Sequence, residues 1–279
     1  MINALSIDFE DWYQASFVNI PSKEWVNCRP AIIEATDLIL DFLAIHAIKA
    51  TFFVSGYIAQ RHADLIKTIH RAGHEIESHG FWHQLAYKQT LEQFTEDISM
   101  SSTVIYEIVG EKPIGYRSPS WSTTHIPDQA AKILLENDFI YDSSLFPAKN
   151  FFYGKNNFKT DIHYYKDTNL LEVPPSTLSL AGLRIPVTGG FYLRFYPIPV
   201  MRKLIELVNT SKPVQLYFHP WEVLNSYPKR SMPLTQRFIQ YYRCGSMLVI
   251  LNELSKRCQF GSLRQAYPEI NQAIINRHN

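Results

Sequence analysis

The chain has 279 residues, of which 46% are apolar and 19% charged, so it can bury a sizeable core and does not read as disordered. A net charge of +1 leaves no electrostatic footprint for nucleic acid or for an anionic membrane. Cys28, Cys244 and Cys258 are odd in number and widely spaced, which supports neither a disulfide framework nor a thiolate zinc site. Aromatic side chains reach 14%, a content that suits a large core or a groove where rings stack on sugar faces. The start, Met1 to Asp8, lacks a basic region and meets an acid early, so it does not read as a signal peptide. No apolar run approaches the ~20 residues that a membrane span needs. The expectation is a cytoplasmic protein, at the inner face of the membrane if it meets the membrane at all.

Ala4 to Phe9 reads as a buried strand that ends in three acids, Asp8, Glu10 and Asp11. Alternation puts Asp8 and Glu10 on one face, and acids crowded at a strand end are costly unless they bind something or sit in a solvated turn. Pro30 opens a helix to about Ile48, and 50–55 is a second buried strand. A helix over 62–72 closes on Gly73 and leads to a strand, His74 to Ser78. Directly after it come His79 and His83, spaced so that two imidazoles can converge on one ion. Thr90 and Gln93 form a capping-box pattern for a helix that Gly110 ends. Strands at 114–117 and 139–142 enclose a helix that Pro127 starts.

Strand and helix thus alternate without a hairpin signal, which predicts a parallel α/β architecture, open or closed into a barrel. The stretch 146–190 is less regular and reads as an excursion, with a possible strand at 170–174 and a tight turn at Thr188-Gly189-Gly190. Pro197 to Val208 is helical, and 214–218 is a strongly buried strand running into His219-Pro220-Trp221-Glu222. Helices over about 234–243 and 246–258 follow, within a C-terminal helical region at 231–279. No repeat or linker interrupts the chain, so 1–279 reads as one domain.

Asp8, Glu10, Asp11, His79, His83, Arg117, Asp142 and His219 all follow apolar strand-like runs. In parallel α/β folds, ligands gather at that rim. One carboxylate with two histidines is a three-ligand set that leaves room for water and substrate, as a catalytic metal requires. A second carboxylate and a third histidine are then available as base and acid.

This pattern resembles the polysaccharide deacetylases of carbohydrate esterase family four. The resemblance rests on Ser6-Ile7-Asp8, Ala50-Thr51-Phe52-Phe53-Val54, the run from Ala72 to His83, Arg117-Ser118-Pro119-Ser120-Trp121, Tyr141-Asp142-Ser143-Ser144 and Leu216-Tyr217-Phe218-His219-Pro220, in the family's order. It implies an incomplete (β/α) barrel, typically of seven parallel strands, and a metal-dependent enzyme that releases acetate from N-acetylhexosamine glycans. It implies Asp8 as general base, Arg117 as the residue that holds Asp8, and His219 as the acid that protonates the departing amine. His79 and His83 would bind the metal, most often zinc. Ser120, whose neighbourhood would offer a backbone N–H to the oxyanion, together with Trp121, Leu216 and Tyr217, would line the substrate pocket. The Asp8-Phe9-Glu10-Asp11 start and the His-Pro-Trp-Glu ending look most like a subgroup found with bacterial exopolysaccharide export.

Two departures from the family pattern stand out. The usual first motif has adjacent aspartates, but Phe9 follows Asp8, which leaves Glu10 as the carboxylate ligand and Asp11 as its fallback. There is also no clear copy of the Asp-Trp segment that tunes the acid histidine; 172–176 and 189–191 occupy that region. Rival readings are a metal-dependent amidase acting on a small amide and a non-catalytic glycan-binding protein. A serine hydrolase is disfavoured, since no Gly-x-Ser-x-Gly elbow exists.

Overall fold

The computed structural model describes residues 1–149, 153–180, 182–187 and 189–278. The strands are β1 (Ile2–Phe9), β2 (Thr51–Val54), β3 (Glu75–Ser78), β4 (Gly115–Tyr116), β5 (Tyr141–Asp142), β6 (His163–Tyr164), β7 (Leu171–Glu172), β8 (Thr177–Leu180), β9 (Leu183–Pro186), β10 (Gln215–Phe218) and β11 (Gln259–Gly261). The helices are α1 (Ile32–Ile45), α2 (Gly56–Arg61), α3 (Ala63–Arg71), α4 (Leu91–Val109), α5 (Pro127–Glu136), α6 (Gly190–Phe195), α7 (Ile198–Val208), α8 (Leu234–Tyr241), α9 (Met247–Ser255), α10 (Leu263–Ala266) and α11 (Pro268–His278).

The main sheet runs β10-β1-β2-β3-β4-β5-β7-β6, with β11 alongside the start of β1. The pairings from β10 to β7 are all parallel, so seven parallel strands form a curled sheet that stays open, the incomplete barrel expected from the sequence. Only β6 is antiparallel in this path. The β8–β9 hairpin stands apart as a second, two-stranded sheet that the sequence pattern did not signal. Of the anticipated turn at 188–190, Thr188 lies outside the described residues; Gly189 has φ +97° and precedes α6.

Period-2 alternation divides each strand between two environments. Leu5, Ile7 and Phe9 of β1, Phe52 and Val54 of β2, and Leu216 and Phe218 of β10 pack with the helices in the largest apolar cluster. Ser6, Asp8, Phe53, Gln215 and Tyr217 occupy the alternate positions, and the register sets Ser6 beside Tyr217 and Asp8 beside Phe53. Leu263 and Ala266 of α10, Ile270 of α11 and Tyr267 between the two helices form a third cluster with Ala4, Phe53 and Tyr141. This packing against the early part of β1 leaves its far end, where Asp8 and Glu10 sit, for the site.

The capping signals behave as their chemistry dictates. Thr90 and Gln93 form the reciprocal capping box at the start of α4, and Gly110 ends that helix at φ +80°. Among the described residues, no helix is long and apolar enough to cross a membrane.

Candidate active site

β10, β1, β2, β3 and β4 are consecutive in the sheet, and residues at or beyond the ends of β1, β3, β4 and β10 line one cavity of about 1060 Å³ whose wall includes Asp8, Glu10, His79, His83, Ser120, Trp121, Tyr217 and His219. Phe9 turns outward, fully buried against Phe52 at 5.6 Å between ring centroids. That orientation explains the interrupted motif. The position after Asp8 faces the helices, so an acid for the cavity has to come from position 10.

Glu10, His79 and His83 are all buried, and their ligand atoms lie within 4.8 Å of one another. His79 Nδ1 lies 2.7 Å from the Arg117 carbonyl oxygen, which selects the tautomer that leaves Nε2 a free acceptor. Burial, reinforced by His83, pulls the His79 pKa down to about 3, so its ring is neutral and able to ligate. His83 Nε2 approaches Glu10 Oε2 to 2.5 Å, yet Glu10 Oε2 and His83 Nδ1 make no hydrogen bond to the described residues. Converging, buried and unsatisfied N and O donors are the arrangement that a divalent cation completes.

The loop that carries the two histidines is tied down from α4. Asp97 accepts the Phe81 and Trp82 N–H groups, each at 2.8 Å. Gly80, at φ +71°, permits that approach, since a Cβ there would come within 2.6 Å of the Asp97 carboxylate.

Asp11 is not part of this cluster. Its carboxylate accepts the N–H groups of Trp12, Ala31 and Ile32 at 2.8 to 3.3 Å, so it caps the start of α1, and the fallback ligand assignment is corrected. Asp142 also leaves the rim. It accepts hydrogen bonds from Ser144 and from Tyr165, whose oxygen is 2.7 Å away, beside the equally buried Glu172. Burial raises both carboxyls, Asp142 to about 6.

Arg117 is fully buried and pairs with Asp8 at 2.5 Å. Its guanidinium also donates to Ser6 Oγ at 2.9 Å and Ser143 Oγ at 3.1 Å, and lies 4.0 Å from the centre of the Phe53 ring. A cation fixed on so many sides holds the Asp8 carboxylate in place.

His219 lies across the cavity with Nε2 3.6 Å from Glu10 and Nδ1 3.5 Å from Glu222. Trp221 stacks on its ring at 4.7 Å. Burial alone would lower the His219 pKa, but Glu222, Glu10 and Asp8 outweigh it and push it up to about 9. Glu222 is held in turn by Arg194, with Nη2 at 2.7 Å and Nε at 3.1 Å from Oε1. Burial opposes the Glu222 charge, but Arg194 and His219 draw its pKa down to about 2. Gly190 is required here because a Cβ at that position would collide with the Glu222 carboxylate.

Sequence reasoning assigned no role to Arg194 or Glu222, which together occupy the place of the missing histidine-tuning motif. A signal did exist: Glu222 is the only acid between Glu206 and Glu253.

The expected pocket residues divide. Tyr217 and Trp121 face the cavity in edge contact at 5.2 Å, with Phe146 behind them. Ser120 and Trp121 hold positive φ values of 50° and 57°, and Ser120 Oγ meets Ser16 Oγ at 2.7 Å. Leu216 is a correction. It lies next to the inward Tyr217 on the strand, so alternation sends it to the helix-facing core, where it is fully buried and does not line the cavity.

Residues 29–135 match the family model described as polysaccharide deacetylase, and residues 143–268 match a domain of unknown function, DUF3473. The two matched stretches share the one curled sheet. A peptidoglycan deacetylase of Helicobacter pylori is 30% identical over 107 residues, covering 38% of this chain and 36% of that relative. The chain therefore spans about a third of the length of the curated relatives it matches. A crystal structure of a candidate polysaccharide deacetylase from Mycobacterium smegmatis superimposes with TM-score 0.59 at 19% identity, over 99% of this chain and 92% of that one. A mutant of BA3943, a family-four pseudoenzyme from Bacillus anthracis with restored enzymatic activity, superimposes with TM-score 0.53 at 15% identity over 95% and 66%. At these identities the likeness is one of fold.

Proposed function

Because the chain belongs to the polysaccharide deacetylase family, we propose that it hydrolyses the N-acetyl amide of an N-acetylhexosamine glycan and releases acetate. The observation that carries this reading is one cavity lined by Asp8, which pairs with Arg117, by the Glu10/His79/His83 donor set and by His219, which faces Glu222. A carboxylate and a histidine beside such a donor set are the base and acid that amide hydrolysis requires.

Glu10, His79 and His83 would hold a divalent metal, and two imidazoles with one carboxylate suit zinc. Such a metal supplies Lewis acidity toward water and the amide carbonyl. Asp8, positioned by Arg117, accepts a proton from the attacking water as the new C–O bond forms. His219, cationic at neutral pH, gives its Nε2 proton to the amide nitrogen as the C–N bond breaks, so the sugar leaves as an amine and acetate remains. Trp121 and Tyr217 face the small acetyl methyl and exclude water from it. The Asp-x-Glu-Asp start and His-Pro-Trp-Glu ending favour a glycan of an exopolysaccharide export system as substrate.

The direct test is acetate release from N-acetylglucosamine oligomers. Asp8→Asn and His219→Ala should each lower kcat by roughly 10²–10⁴-fold while the chain stays folded. Full activity of Asp8→Asn would remove the base from the scheme.

A further inference from the structure

The cavity does not end at the catalytic residues. Beyond His219 and Trp221 it continues between α6 and α8, along a wall that includes Phe191, Phe195, Phe238 and Ile239. Phe191 stacks on Phe195 at 5.4 Å and meets Phe238 edge-on at 5.9 Å, so the wall is a continuous aromatic surface. Gln240 also lines the cavity; it is 6% exposed, and its Nε2 has no hydrogen-bond partner among the described residues. A buried amide donor left unpaired is costly unless a ligand supplies an acceptor.

At the outer end the wall runs into side chains that reach the surface. Phe195 and Phe238 are 46% and 45% exposed, and Leu234, one turn before Phe238 on α8, is 80% exposed. From 223 to 252 the chain carries Lys229, Arg230, Arg237 and Arg243 and no carboxylate. Arg243 is fixed against α6 through the Arg194 carbonyl.

We propose that this arm is a second binding site, which takes a hydrocarbon chain joined to the glycan, so that the preferred substrate is an amphipathic, lipid-linked N-acetyl sugar. Pyranose hydroxyls buried here would need several partners, whereas the wall is mostly apolar, with Tyr192 and Thr235 among its few polar side chains. Arg243, held against the end of α6, suits an anionic linkage such as a phosphate.

The inference rests on the deacetylase reading for its catalytic consequence but not for binding, and the experiment separates the two. Binding of alkyl glucosides, which lack the N-acetyl group, is measured calorimetrically from one to eight carbons below micelle concentrations, alongside acetate release from the matching alkyl N-acetylglucosaminides. Affinity and kcat/KM should both rise by roughly two- to fourfold per methylene over the enclosed part of the chain. Phe238→Asp, at a half-exposed position that tolerates substitution, should flatten this slope. Absence of a slope in the unaltered protein, or a slope untouched by Phe238→Asp, overturns the arm. A binding slope without acetate release from any substrate upholds the arm and refutes the deacetylase reading.

Discussion

Replacing Glu222 by Gln removes the charge that faces His219 Nδ1 while keeping side-chain shape. An opposite charge at 3.5 Å raises a histidine pKa by roughly 1–3 units, so losing it should bring His219 from about 9 down to about 7. The protonated fraction would then fall from about 0.9 to about 0.1 at pH 8, and by only about a tenth at pH 6. The alkaline limb of the kcat/KM profile should therefore move about two pH units toward acid. The variant also strands Arg194, which is 1% exposed and retains only carbonyl acceptors such as Gly190 and Ile239. Breaking a buried pair costs about 3–5 kcal/mol, so Tm should fall as well. Glu222→Gln combined with Arg194→Met removes the stranded cation and should recover Tm without recovering the pH profile. The assay is acetate release across pH for both variants. An unmoved alkaline limb, or a loss at pH 6 as large as that at pH 8, would refute the claim that Glu222 tunes the acid.

Glu77 is buried, accepts the N–H groups of Ile114 and Gly115 at 2.8 and 2.6 Å, and is pushed by burial up to about 8. The folded state therefore holds its proton more tightly than the unfolded chain, and the stability this lends is complete below pH ~4.5 and lost as pH rises toward 8. Glu77→Gln should gain Tm relative to the parent at pH 8 over pH 5; each pH unit crossed in that window removes up to ~1.4 kcal/mol from the parent, or about 2–4 °C. Equal differences at the two pH values would contradict it. Leu216→Ala should cost about 2–5 kcal/mol in denaturant unfolding, because the side chain lies in the helix-facing core. KM for N-acetylglucosamine oligomers should be unaffected, and a changed KM at intact stability would return Leu216 to the pocket.

The seven parallel strands were legible because strands buried on both faces read as apolar runs, and the polar residue ending each run marked the rim. Asp8, Glu10, His79, His83, Arg117 and His219 were singled out in this way. What escaped depends on partners distant in sequence. Asp11 and Glu10 look equivalent until the N–H groups of Ala31 and Ile32 claim Asp11. Arg194 and Glu222 are 28 residues apart, joined only because α6 packs beside the end of β10. The β8–β9 hairpin and the short helices α2 and α6 present too few residues for a period to emerge. Leu216 was misplaced for a simpler reason, since alternation from Tyr217 already sends it outward.

The central claim is that Glu10, His79 and His83 form a metal site without Asp11. Chelated protein titrated with zinc should bind one equivalent, with acetate release rising in parallel. Glu10→Gln should abolish this binding and Asp11→Asn should keep the stoichiometry. Stoichiometric zinc in Glu10→Gln, or full activity in the chelated protein, would contradict the account.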